Sequence, residues 1–205
     1  MDELDHVNFL RKTLSNTAVA QPTIDIGGTD PNGAFSLAAR AAGLVGAGVA
    51  FDPYSSDANF LLGAFIFEDV GVTAYKGAAP LISNKTYLEA AAGILAAEAY
   101  HAGLIRTVLY SKGVLMPQLI TDAGAISNAR DALDNSIDDD QGIAGATPDV
   151  SNIAPLDANG LAYSRTTGDV RLTAAPPAMC SISFTSRALR RAKAGSFPME
   201  STATS

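Results

Sequence analysis

Tryptophan is absent from this chain of 205 residues, cysteine occurs once, histidine twice, and only 17% of the residues are charged. The lone Cys180 excludes an intrachain disulfide framework and leaves the redox compartment unreadable from cysteine usage. Basic residues are also in short supply, 14 Lys and Arg against 21 Asp and Glu, for a net charge of −7. No basic groove is available to neutralise phosphates, so no nucleic-acid partner is expected. Long apolar runs are missing too. The most apolar stretch runs from Phe60 to Phe67 and stops at Glu68, well short of the roughly 20 residues of a membrane-spanning helix, so no membrane span is expected. The opening Met1-Asp2-Glu3-Leu4-Asp5 lacks the basic region and apolar run of a secretory signal.

The sequence is rich in alanine, which lifts its hydrophobic fraction to 47% and suits closely approaching helices. The spacing predicts an all-α protein. Glu3, His6, Val7, Leu10 and Leu14 recur at three- and four-residue intervals, giving an amphipathic helix from about Asp2 to Leu14. A glycine- and proline-punctuated crossover follows from Gln21 to Ser56, with a short helix over Ala34 to Leu44. Asp57 to about Ala79 reads as the next helix, closed by Pro80. Asn84 is placed to cap another that runs to about Tyr110, before Gly113. Its heptad-like seam of Leu88, Ala91, Leu95, Ala102, Ile105 and Leu109 is interrupted by Glu98, and Arg106 falls off it. After Pro117 a short helix is expected over Thr121 to Leu133, and then mostly loop.

Both histidines follow a glutamate by three residues, in Glu3-Leu4-Asp5-His6 and Glu98-Ala99-Tyr100-His101. Three residues is nearly one helical turn, so each pair can aim a carboxylate and an imidazole at one point, a good ligand set for iron or manganese. Glu68 lies on the seam of a third helix, with no Lys or Arg between Phe51 and Tyr75 to pair with it. A buried carboxylate in that position normally protonates, pairs or binds a metal. Carboxylate-bridged dimetal bundles use one Glu from each of two helices and a Glu-x-x-His from each of two others. Glu3, His6, Glu68, Glu98 and His101 are therefore the candidate ligands, five of six. Either Glu-x-x-His alone is better explained by ordinary helix-boundary residues; the two together with Glu68 favour a dimetal centre.

Tyr75 and Tyr100 could hydrogen-bond to these ligands, although tyrosines at helical spacing more often simply fill a core. Asp138-Asp139-Asp140 lacks the alternating ligands of a calcium loop and is read as a solvated turn. Asn84-Lys85-Thr86 is a glycosylation sequon usable only on export, and helix capping accounts for Asn84 equally well.

The stretch FIFEDVGVTAYKGAAPLISNKTYLEAAAGILAAEAYHAGLIRTVLY, Phe65 to Tyr110, resembles the ferritin-like proteins called desiccation-related proteins in plants and algae, which have stress-associated relatives in bacteria and fungi. DELDHVNFLRKTL, Asp2 to Leu14, resembles that family's second bundle helix, and SRTTGDV, Ser164 to Val170, its late segment. The resemblance implies a ferritin-like four-helix bundle, export to the cell exterior or cell wall, and an association with desiccation or stress. It divides the chain into a partial bundle over 1–120, a loop-rich extension with one short helix over 121–170, and a divergent tail over 171–205 that is expected to be disordered.

No counterpart of the family's first helix precedes Met1, and the ending FPMESTATS departs from the family's run like FPNGINGNI. A truncated gene model or fragment with a frameshifted C-terminus is expected, as is a homo-oligomer or a partner helix covering the exposed bundle face. The functional expectation is a stress protein whose complete form holds two iron or manganese ions and oxidises ferrous iron or decomposes peroxide. The alternative is a non-enzymatic protective or cell-wall protein with a vestigial site. The long crossover and loop-rich tail point away from a ferritin-type storage shell.

Overall fold

A computed structural model describes residues 2–21, 23–133, 138–147 and 149–169. The tail expected to be disordered, 171–205, lies outside them. Among the described residues the helices α1 (Asp2–Leu14), α2 (Ala34–Ala41), α3 (Asp57–Ala78), α4 (Lys85–Leu115) and α5 (Gln118–Asp131) follow one another. An antiparallel bridge between Ala144 and Ser151 fastens the loops that follow. The fold is an all-helical, ferritin-like bundle, as the sequence implied.

Local chemistry sets the helix ends. The Ser56 hydroxyl accepts the Asn59 amide at the start of α3, and the Asn84 side chain accepts the Thr86 and Tyr87 amides at the start of α4, the usual way of satisfying otherwise orphaned donors. Pro80 lies in the 3₁₀ turn Ala79–Leu81 that ends α3. Gly113 does not stop α4, contrary to the sequence expectation: the helix continues to Leu115. A Cβ on Gly113 would collide with the Ile120 side chain, so this glycine serves the close approach of α5.

α3 and α4 form the most extensive helix pair. At one end of it, Phe35 and Ala39 of α2, Phe65 of α3, Leu109 of α4 and Leu119 and Ile126 of α5 close the apolar core. α1 contributes no residue to that core, and its described side chains are at most half-buried. The 31 residues of α4 extend about 45 Å, long enough to pass both this core and two polar clusters.

One polar cluster corrects the sequence reading. Arg106 does not fall off the inner face of α4; it is fully buried and donates to Asp69 Oδ2 at 2.7 Å and to the Asn152 carbonyl at 2.9 Å. Arg130 also donates to Asp69 Oδ2, at 3.1 Å, and its Nε stands 2.9 Å from Asp140 Oδ1. Arg165 pairs with Asp140, with Asp139 at 3.3 Å and with the Thr73 hydroxyl at 2.6 Å. Asp139 and Asp140 are thus buried ion-pair partners rather than a solvated turn, because α5 and the SRTTGDV segment bring two arginines to them. The same segment crosses α3 at Gly77, where a Cβ would overlap the Arg165 backbone.

Candidate metal centre

The consecutive acids Glu68 and Asp69 leave α3 in different directions, since successive helical residues point about 100° apart. Asp69 enters the arginine network just described. Glu68 turns instead toward α1 and the middle of α4, where the other four candidate ligands converge. His6 Nδ1 lies 3.5 Å from Glu3 Oε2 and 3.5 Å from Glu98 Oε1. His101 Nδ1 lies 3.2 Å from Glu3 Oε1 and 3.5 Å from Glu68 Oε2.

Two donor groups result, Glu3 with His6 and Glu98, and Glu3 with Glu68 and His101, each with ligand atoms within 4.8 Å of one another. Glu3 belongs to both, offering one carboxylate oxygen to each side. Each imidazole faces a carboxylate from another helix as well as Glu3, so the two Glu-x-x-His motifs are interlocked.

Burial is graded across the cluster. Glu98 is 7% exposed, whereas the Glu3 side chain is 60% exposed and forms the solvent side. Burial pushes the Glu98 carboxyl up to about 7, reinforced by the charges of Glu3 and Glu68 and opposed by His6 and His101. Those are the charged groups acting on Glu98, and no arginine or lysine is among them. By contrast, Asp139 and Asp140, which with Asp131 form a third acidic group, are matched by Arg165 and Arg130.

Tyr75 is buried, and its phenol is held above its ordinary range by burial, then by the charges of Glu98 and Glu3. Of the two tyrosines singled out in the sequence, it therefore borders the cluster. Tyr100 is 78% exposed and fills no core, because its position on α4 faces away from α3. Sequence reasoning missed Gly71, where a Cβ would lie 2.7 Å from Glu98 Oε2. It also missed the cation that Asp69 requires, although an acid beside Glu68 in an apolar helix was a visible signal.

The donor set fits iron or manganese: three carboxylates and two imidazoles of intermediate hardness, with His6 Nδ1 buried and lacking a hydrogen-bond partner among the described residues. A bundle of this kind, carrying carboxylates and Glu-x-x-His pairs on its inner faces, is the architecture of ferritin-like proteins. The ferritin-like domain family matches residues 1–111, and the chain belongs to that family. It is similar to the desiccation-related protein PCC13-62 of Craterostigma plantagineum, with 33% identity over 159 residues, covering 72% of this chain and 48% of the relative. The chain thus spans about half the length of that curated relative. No solved structure matches it. No helix among the described residues is long and apolar enough to cross a membrane.

Proposed function

We propose that this ferritin-like, desiccation-related protein holds two iron or manganese ions, one between Glu3, His6 and Glu98 and the other between Glu3, Glu68 and His101. The carrying observation is the sharing of Glu3 by two donor groups drawn from three helices. When bound, the metals would supply one-electron redox chemistry toward ferrous iron or peroxide. The protein's own contribution is to fix the two donor groups side by side through Glu3 and to hold Glu98 away from water. Tyr75 closes the inner side of the cluster, and the exposed Glu3 marks the side from which a small polar substrate reaches it.

The helical part over 1–120 acts in this reading as the bundle proper, and 121–170 as an extension fastened to it where Arg106 donates to the Asn152 carbonyl, Arg130 to Asp69 and Arg165 to the Thr73 hydroxyl. Its relationship to desiccation-related proteins supports an extracellular or cell-wall location and a role in stress. Leu4 and Val7 of α1, with Tyr100 and Leu104 of α4, are exposed and suit a partner helix or a second copy.

Metal analysis of the full chain purified without chelator tests the reading. Two equivalents of iron or manganese per chain are expected, with Mn(II) loading giving the exchange-coupled spectrum of paired ions. A chain that takes up no stoichiometric metal would leave the non-enzymatic protective role, with the polar cluster vestigial.

A further inference from the structure

Gly71 sits in the interior of α3, one turn beyond Glu68 and one turn before Tyr75. Glycine is unfavourable there, since it gives up more backbone freedom than alanine on entering a helix. The structure shows what the missing side chain admits. A Cβ at Gly71 would stand 2.7 Å from Glu98 Oε2, 3.1 Å from Glu98 Cδ and 3.5 Å from Glu98 Cγ. Its three nearest neighbours all belong to one side chain, and that side chain is a proposed ligand. Other helix glycines differ. Gly77 admits backbone, Gly113 admits an isoleucine, and Gly93 on α4 has nothing within 4 Å.

We propose that Gly71 is a positioning residue, whose missing side chain forms the slot that holds the Glu98 carboxylate toward His6 and Glu3. The inference rests on the dimetal reading above and adds to it a determinant on α3 that ligates nothing itself. Glu98 is almost wholly buried, so a methyl group 2.7 Å from its Oε2 displaces the carboxylate from the position that faces His6 Nδ1 at 3.5 Å. The donor group of Glu3, His6 and Glu98 is then disturbed, while that of Glu3, Glu68 and His101 keeps its geometry.

The test is Mn(II) binding by calorimetry and electron paramagnetic resonance on the full chain, comparing wild type with Gly71→Ala, Gly93→Ala, Glu98→Ala and the Gly71→Ala/Glu98→Ala double variant. Gly71→Ala is expected to weaken one of the two Mn(II) sites at least tenfold and to abolish the paired-ion signal. Its metal-free melting temperature should equal or exceed that of wild type, as alanine's helix propensity dictates. Gly93→Ala should bind as wild type does. In the Glu98→Ala background, Gly71→Ala should have no further effect, the signature of a residue acting through that carboxylate.

Wild-type-like binding by Gly71→Ala would overturn the inference, as would a further loss in the Glu98→Ala background. A metal-free melting temperature for Gly71→Ala below that of wild type would assign the glycine to packing and overturn it too. A wild-type chain that binds no Mn(II) would overturn the dimetal reading and this inference together, whereas the other outcomes bear on Gly71 alone.

Discussion

His6 Nδ1 stands 3.5 Å from Glu98 Oε1, so the imidazole of the first Glu-x-x-His faces the carboxylate of the second. The two motifs are consequently halves of one cluster rather than separate sites. Glu3 ties them together on the other side, within 3.2 Å of His101.

Removal of single ligands should therefore act unequally. Glu3→Ala is expected to eliminate both Mn(II) equivalents, because Glu3 belongs to both donor groups. His6→Ala and His101→Ala should each leave one equivalent, with the lost site weakened 10- to 100-fold or more. Mn(II) titration followed by metal analysis distinguishes these patterns, and equal losses in all three variants would count against a shared carboxylate.

Stability without metal should fall as pH rises. The folded-state value for Glu98, about 7, lies above its ordinary 4.5, so folding favours the neutral acid. That contribution is complete below the ordinary value and is lost as pH passes through the folded one, a change of at most about 3 kcal/mol. Urea denaturation in chelator at about pH 5 and pH 8 measures it, and Glu98→Gln should flatten the difference. Bound metal reverses the trend, because it requires the carboxylate deprotonated.

Docking of α1 should depend on metal. That helix supplies no described residue to the apolar core, and its ties to α4 include the carboxylate and imidazole pairs of the cluster. Hydrogen exchange is expected to show the amides of residues 2–14 slowing on Mn(II) addition, with those near Phe65 and Leu109 unchanged. Identical exchange of α1 with and without metal would mean that other contacts hold it.

Asp69→Ala should destabilise the chain by about 3–5 kcal/mol, since it strips a buried carboxylate from Arg106 and Arg130 and leaves their charges under-compensated. Chemical denaturation gives the value.

Asn84→Ala should cost about 1 kcal/mol, the usual loss when an N-cap side chain is removed. The Asn84 side-chain Oδ1 accepts two backbone amides, at 2.9 and 3.2 Å. Asn84→Asp should retain most of the stability, which a thermal melt can establish.

Much of this arrangement was legible along the chain. Helix positions followed from apolar spacing and from Asn84, Pro80 and Pro117, because capping and proline exclusion act within a few residues. Glu3, His6, Glu98 and His101 stood out because two helical one-turn pairs repeat, and Glu68 because it interrupts an apolar face without a nearby cation. Arg106 was misread, since a strict heptad seam drifts from the 3.6-residue period that places Ile94, Glu98, Ala102 and Arg106 together on the buried side of α4. Asp139 and Asp140 looked solvated because their partners, Arg130 and Arg165, come from other parts of the chain.

The sequence by itself determined the helices, the family resemblance and the five residues with ligand chemistry, all properties carried by local spacing and residue type. Only the tertiary structure decided which carboxylate faces which imidazole, that Glu3 is shared, and that Glu68 and Asp69 serve different clusters. It also decided that Gly71 makes room for Glu98. Those relationships depend on how helices distant in sequence are rotated against one another, and that rotation is fixed by packing of the whole core rather than by any single segment.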